Sequence, residues 1–170
     1  GDDPAVAQAE TSQRHEGSAA PPDDVPRLKE LARVSHDNTR FYVDSHFDRH
    51  RCGEMYALWI ERSVAGELAD AVWVVDVNGV PCGYLTAKTD RDGGTIGLVA
   101  VDVACRGRGY GDALLDAALT WAAEAGLSSL SVVTQGRSAA AVRFYQRAGF
   151  LTRAVELWYH RWRHADADDR

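Results

Sequence analysis

A chain of 170 residues, 45% of them hydrophobic, is the size of one domain with a well-filled core. Its formal charge of -6 argues against general nucleic-acid binding, which needs a positive field to displace counterions. No apolar run approaches the roughly 20 residues of a membrane span, and residues 1–24 lack the apolar stretch of a signal peptide, so a cytoplasmic protein is expected. Cys52, Cys82 and Cys105 are widely spaced, with no C-x-x-C pair to hold zinc, and His46, His50 and His160 show no spacing tied to carboxylates or cysteines; no metal is expected.

Residues 1–24, rich in Asp, Glu, Gln, Ser, Ala and Pro, read as a disordered tail, because they bury too little apolar surface to offset the entropy of ordering. From Val25 the apolar residues Leu28, Leu31, Ala32 and Val34 recur at helical spacing. A second helical pattern runs through Cys52, Met55, Tyr56, Trp59, Ile60 and Val64 to Gly66, and the aromatic, basic stretch 40–50 between the two reads as a loop. Ala71–Val77 and Val80–Lys88 are strand-like runs flanking Asn78-Gly79, a strong hairpin signal. Ile96–Val103 predicts a central strand buried on both faces. A helix from near Gly109 to Gly126, a strand over 130–134 and a helix from Ala139 to Ala148 follow, and strands over 151–155 and 157–162 would close the sheet. The order predicts an α/β fold with a mixed, mostly antiparallel sheet flanked by helices, over residues 25–163, followed by a disordered acidic C-terminus over 164–170.

Between the central strand and the next helix lies Arg106-Gly107-Arg108-Gly109-Tyr110-Gly111. Glycines there let backbone N–H groups approach a ligand, and the helix N-terminus with two arginines favours an anion such as pyrophosphate. A dinucleotide fingerprint needs G-x-G-x-x-G/A, but Asp112 and Leu114 stand where its final small residue would be. A phosphate-binding P-loop needs Lys and Ser or Thr after its last glycine, and Asp112-Ala113 supplies neither. What remains, Val101-x-x-x-x-Arg106-x-x-Gly109-x-Gly111, resembles motif A of the GNAT superfamily of N-acetyltransferases. The resemblance spans about Val25 to Trp162. It implies that Arg106 to Gly111 bind the pyrophosphate of acetyl-coenzyme A, and that the strand residues Val99, Ala100 and Val101 pair with its pantetheine arm and acetyl group.

Making an amide from a thioester requires a neutral amine, a stabilised oxyanion and a departing thiolate. The segment Ser138 to Phe150 resembles the superfamily's N-x-x-A-x-x-x-Y-x-x-x-G-F pattern, which implies that Tyr145 protonates the thiolate. Ser138 replaces the usual Asn that contacts pantetheine, and is suited to capping the helix. Ser131 and Val133 stand where a glutamate base would be sought, so a water relay is the expected proton route. Three further segments, 55–64, 133–140 and 157–162, resemble the subgroup that acetylates dTDP-fucosamine, which implies a sugar-nucleotide amine as acceptor. Arg40, Phe41, Tyr42 and Tyr56 are the candidate acceptor contacts, with Arg49 and Arg51 as further cations for a diphosphate. Against this stand another acceptor amine (a protein N-terminus, an aminoglycoside or a polyamine) and a domain that binds acetyl-coenzyme A without turnover. The superfamily's first strand falls at His15–Pro22, which has no branched apolar residue; the expectation is a strand that is short, absent or supplied by the partner of a homodimer.

Overall fold

The computed structural model describes residues 10–13, 23–91 and 93–163. A five-stranded sheet runs in the order β1-β2-β3-β4-β5, comprising Glu10–Gln13, Ala71–Val77, Val80–Asp90, Gly93–Val101 and Leu130–Val132. The first four strands are antiparallel neighbours and β5 joins β4 in parallel, so the expected mixed sheet is present. The hairpin turn is where Asn78-Gly79 places it, both residues taking positive φ, 53° and 76°.

Two helical layers cover the sheet. On one face α1 (Val25–Ser35) and α3 (Arg49–Val64) bury Leu28, Leu31, Ala32, Tyr56, Ile60 and Val64 against Val72, Val74, Tyr84, Leu98 and Ala100. On the other, α4 (Tyr110–Glu124) sets Leu114, Leu115, Ala118, Trp121 and Ala122 against Trp73, Val75, Leu85 and Ile96, and α5 (Ala139–Arg147) adds Tyr145 to that core. The stretch expected to be a loop holds a single helical turn, α2 (Arg40–Val43), and α3 starts at Arg49, where the Asp48 carboxylate accepts from the Arg51 N–H at 2.8 Å.

A bulge explains the apolar run at the centre of the sheet. Leu85 faces Val99 and Ala87 faces Ile96, so Gly97 and Leu98 together stand opposite Thr86. The extra residue reverses the side-chain alternation: Ile96 enters the α4 core, Leu98 and Ala100 enter the α1/α3 core, and Val99 and Val101 return to the α4 side. The Leu98 N–H, turned out of the ladder, is taken by the buried Thr86 Oγ1 at 2.9 Å.

Three expectations need correction. A first strand exists, and it lies inside the segment read as a tail: β1 pairs Glu10 to Gln13 with Asp76 to Trp73. The outer edge of β2 is therefore covered by its own chain, with no call for a partner's strand. An edge strand holds by backbone hydrogen bonds, so the search for branched apolar residues missed it; His15–Pro22, where it was sought, lies outside the described residues, as do residues 164–170. Secondly, β4 stops at Val101, and Val103 is 72% exposed in a 3₁₀ turn over Val103–Cys105. Thirdly, residues 151–163 form no strand, and Leu151, Val155 and Leu157 are exposed. Trp158, His160 and Trp162 instead turn toward the α2 segment. The Arg40 guanidinium lies 4.5 Å from the Trp158 ring, and Trp162 Nε1 donates to Asp44 at 2.9 Å, beside His160 Nδ1 at 2.7 Å.

Candidate active site

Strands β4 and β5 pair only over Gly94–Ile96 and Leu130–Val132. Beyond Ile96 they part, so β4 from Gly97 to Val101 has β3 on one side only and its other backbone edge is open for a ligand to pair with. Ala100 is buried on the α1/α3 face, while Val99 and Val101 are half-buried toward α4. The chain leaves this open edge directly into the glycine loop.

Gly109 is the N-cap of the 15-residue α4 with φ 82°, and Gly107 has φ 75°, left-handed values that a side chain would make costly. Nothing lies within 4 Å of where a Cβ would stand on either, so both face open space. No side chain caps α4, which leaves its first N–H groups directed at whatever occupies the loop. Arg106 and Arg108 are exposed, and Arg106 Nε donates to the Val101 carbonyl at 3.1 Å, holding its guanidinium over the end of β4. An open, left-handed glycine loop with two cations at a helix N-terminus fits a diphosphate group, and coenzyme A carries one. Tyr110 and Gly111 differ from the other loop residues. The Tyr110 ring is buried in the α4 core, so it has only its backbone to offer. Gly111 lies beside the Phe144 ring, where a Cβ would stand 3.4 Å from it in ordinary contact, so α5 rests on the start of α4.

That packing brings in Tyr145. Its ring is 9% exposed, meeting Phe144 and Phe150 edge-on at 5.0 and 5.6 Å, in one cluster with Val99, Val101 and Val132. Its hydroxyl has no hydrogen-bond partner among the described residues and is not sealed from solvent, so it is free to meet a ligand. Burial pushes the phenol up to about 12, which keeps it protonated at neutral pH. Ser138 is the N-cap of α5, but its side chain makes no capping hydrogen bond; the expected cap is absent and the hydroxyl is available.

The residues proposed for acceptor contact come together on the α1/α3 side, in unequal states. Tyr56 is 4% exposed; its hydroxyl donates to Thr39 Oγ1 at 3.1 Å and its ring stacks on His36 at 4.4 Å. Tyr42 donates to the Arg33 carbonyl, with Arg49 over its ring. These two are packing residues. Arg40, half-buried between the rings of Phe41 and Trp158 at 4.5 Å from each, forms an aromatic and cationic shelf. Hydrogen bonds from the His160 ring and from His46 hold the Asp44 carboxyl beside it well below the usual carboxylate range.

Two features were not legible beforehand. His36, at the C-cap of α1, sits 3.1 Å from the buried Tyr84 hydroxyl, and burial pushes its imidazole from 6.5 down to about 4. Asp102, between β4 and the loop, meets Arg27 of α1. A helix end and a strand end 75 residues apart give no periodic signal that would join them. Among the described residues no group of three or more His, Cys, Asp or Glu could hold a metal ion, and no helix is long and apolar enough to cross a membrane.

A family model described as Acetyltransferase (GNAT) family matches residues 33–150. The chain is 30% identical over 140 residues to dTDP-fucosamine acetyltransferase of Escherichia coli O6:H1, covering 81% of this chain and 59% of the relative. It is 28% identical over 141 residues to spore coat polysaccharide biosynthesis protein SpsD of Bacillus subtilis, covering 83% and 48%. The chain thus spans about half the length of these two relatives. The fold matches that of AAC(6')-Iy in complex with a bisubstrate analog, CoA-S-monomethyl-acetylneamine, with a TM-score of 0.63 at 16% identity, over 91% of this chain and 99% of that one.

Proposed function

Since the chain belongs to the acetyltransferase (GNAT) family, we propose that it transfers an acetyl group from acetyl-coenzyme A directly to a primary amine, that of an amino-deoxysugar nucleotide. The observation that carries the first half is the junction of an open β4 edge with a left-handed glycine loop capping α4. Acetyl-coenzyme A supplies an activated thioester there. In this reading Gly107, Gly109 and the first N–H groups of α4, with Arg106 and Arg108, hold its pyrophosphate. The free backbone of Val99, Ala100 and Val101 pairs with the pantetheine arm and polarises the acetyl carbonyl, and the Ser138 hydroxyl is placed at the start of α5 to meet the same arm.

Tyr145 is the proton donor to the leaving sulfur. Its hydroxyl is open, and burial keeps the proton on it, so it stands protonated beside the sulfur as the carbon–sulfur bond breaks. Proton removal from the amine goes through water. An amine of modest basicity is partly neutral near pH 7, so it does not need the strong base that Ser131 and Val133 fail to supply.

The sugar-nucleotide acceptor is supported by the carbohydrate names of both relatives and by the Arg40, Phe41 and Trp158 shelf, where aromatic surface suits a base and the guanidinium a phosphate. The test is thiol release from acetyl-coenzyme A across dTDP-4-amino sugars, other amino sugars, an aminoglycoside, a polyamine and peptides. Fastest release with a dTDP-amino sugar is expected. Release only with another amine would replace the acceptor, and release with none would leave an acetyl-coenzyme A-binding domain without turnover.

A further inference from the structure

The glycine loop has to be held at the right height over the open β4 edge, and its stem is tied in an unusual way. Asp102, one residue beyond β4, spends its backbone and side chain on four different partners. Its N–H donates to the Cys82 carbonyl of β3 at 2.7 Å, and its carbonyl accepts from the Cys105 N–H at 2.9 Å. Its Oδ1 accepts from the Ala104 N–H at 2.9 Å, capping the 3₁₀ turn that delivers Arg106. Its Oδ2 meets Arg27 Nη2 at 2.5 Å, and Arg27 Nε donates at 3.3 Å to the Pro81 carbonyl beside Cys82. Arg27 thus crosses from α1, in the opposite helical layer, to grip β3 and the loop stem together.

The Asp102 side chain is 25% exposed and that of Arg27 35%, so the pair is partly shielded from water. Its carboxyl is held below the usual range by the Ala104 N–H first, with burial opposing and Arg27 adding to the effect. Asp102 directly follows Val101 of the open edge and leads into the loop, so the pair acts through the backbone that it anchors.

We propose that Arg27 and Asp102 are positioning residues for the glycine loop, acting as a pair that sets coenzyme A affinity rather than the chemical step. The proposal rests on the reading of that loop as the coenzyme A cradle. A loop displaced by a fraction of an ångström loses several phosphate hydrogen bonds together, whereas Tyr145, on α5, keeps its place. A plain stabilising salt bridge with this much exposure would affect melting and leave ligand affinity alone.

The experiment is calorimetry with coenzyme A on the Arg27→Met, Asp102→Asn and double variants, with Arg27→Lys as the conservative control and melting temperature recorded for each. Asn keeps an oxygen to cap the Ala104 N–H while removing the charge, so the ion pair is tested apart from the turn. Each single variant should bind coenzyme A about five- to tenfold more weakly, and the double variant no more weakly than the worse single, as for two residues doing one job. Arg27→Lys should recover part of the affinity. In steady state, KM for acetyl-coenzyme A should rise while kcat at saturation stays within about twofold. Single variants that bind within about twofold of wild type, or losses that simply add in the double, would overturn the pairing. If Gly109→Val also leaves binding intact, it is the cradle that fails; if Gly109→Val weakens binding and these variants do not, only the Arg27 and Asp102 role fails.

Discussion

At the residue scale, burial raises the Tyr145 phenol and lowers the His36 imidazole, so both are neutral near pH 7. Tyr145→Phe removes one oxygen from a packed ring, so the fold and the loop should be untouched. Turnover should fall by about ten- to a hundredfold, with acetyl-coenzyme A affinity within about twofold, measured by thiol release and calorimetry. An unchanged rate would remove the acid role. His36 makes a prediction for stability. Its folded pKa, about 4, lies below the ordinary 6.5, so the unfolded chain binds the extra proton first. The stabilisation is fully present above about pH 6.5 and is lost as pH falls toward 4, on the order of 2–3 kcal/mol across that window. Urea melts at pH 7 and pH 4.5 should differ more for wild type than for His36→Phe. An equal difference would mean that another group carries the acid sensitivity. Neither the role of His36 nor that of Asp102 could be read from sequence, because each depends on a partner on another element, Tyr84 in one case and Arg27 in the other.

At the scale of elements, local chemistry was legible and strand pairing was not. Asn78-Gly79 fixed the hairpin by backbone conformation, and the spacing in α1, α3 and α4 reported the buried faces except at Val34, which is exposed. The β4 bulge was hidden because an apolar strand looks the same with or without an inserted residue; only the partner strand reveals the two-against-one register. The bulge rests on one side chain. Thr86→Val keeps the volume and removes the acceptor of the Leu98 N–H, which should cost about 1–3 kcal/mol in denaturant unfolding. No loss would mean that water satisfies the amide. The C-terminal stretch shows the converse error. The expected strand over 157–162 is absent because the Trp158, His160 and Trp162 side chains serve Arg40 and Asp44, and β5 is only three residues long.

At the scale of the whole molecule, two helical layers meet the sheet at different jobs. The α4 and α5 layer carries the glycine loop and Tyr145, whereas the α1 and α3 layer carries the aromatic shelf, and β2, β3 and β4 each send side chains into both cores. The glycine loop could be read from sequence because its backbone demands glycine at fixed spacing next to a helix start. The hydrogen bonds that engage the Tyr42 and Tyr56 hydroxyls could not, since their acceptors, the Arg33 carbonyl and Thr39, lie on other parts of the chain. The central claim is that the Arg106 to Gly111 loop holds coenzyme A, and the most direct measurement is calorimetric titration of acetyl-coenzyme A into wild type and Gly109→Val. A β-branched residue at φ 82° cannot keep the loop conformation, so affinity should drop at least about tenfold while circular dichroism confirms an intact fold. Equal affinity in the folded variant would contradict the claim.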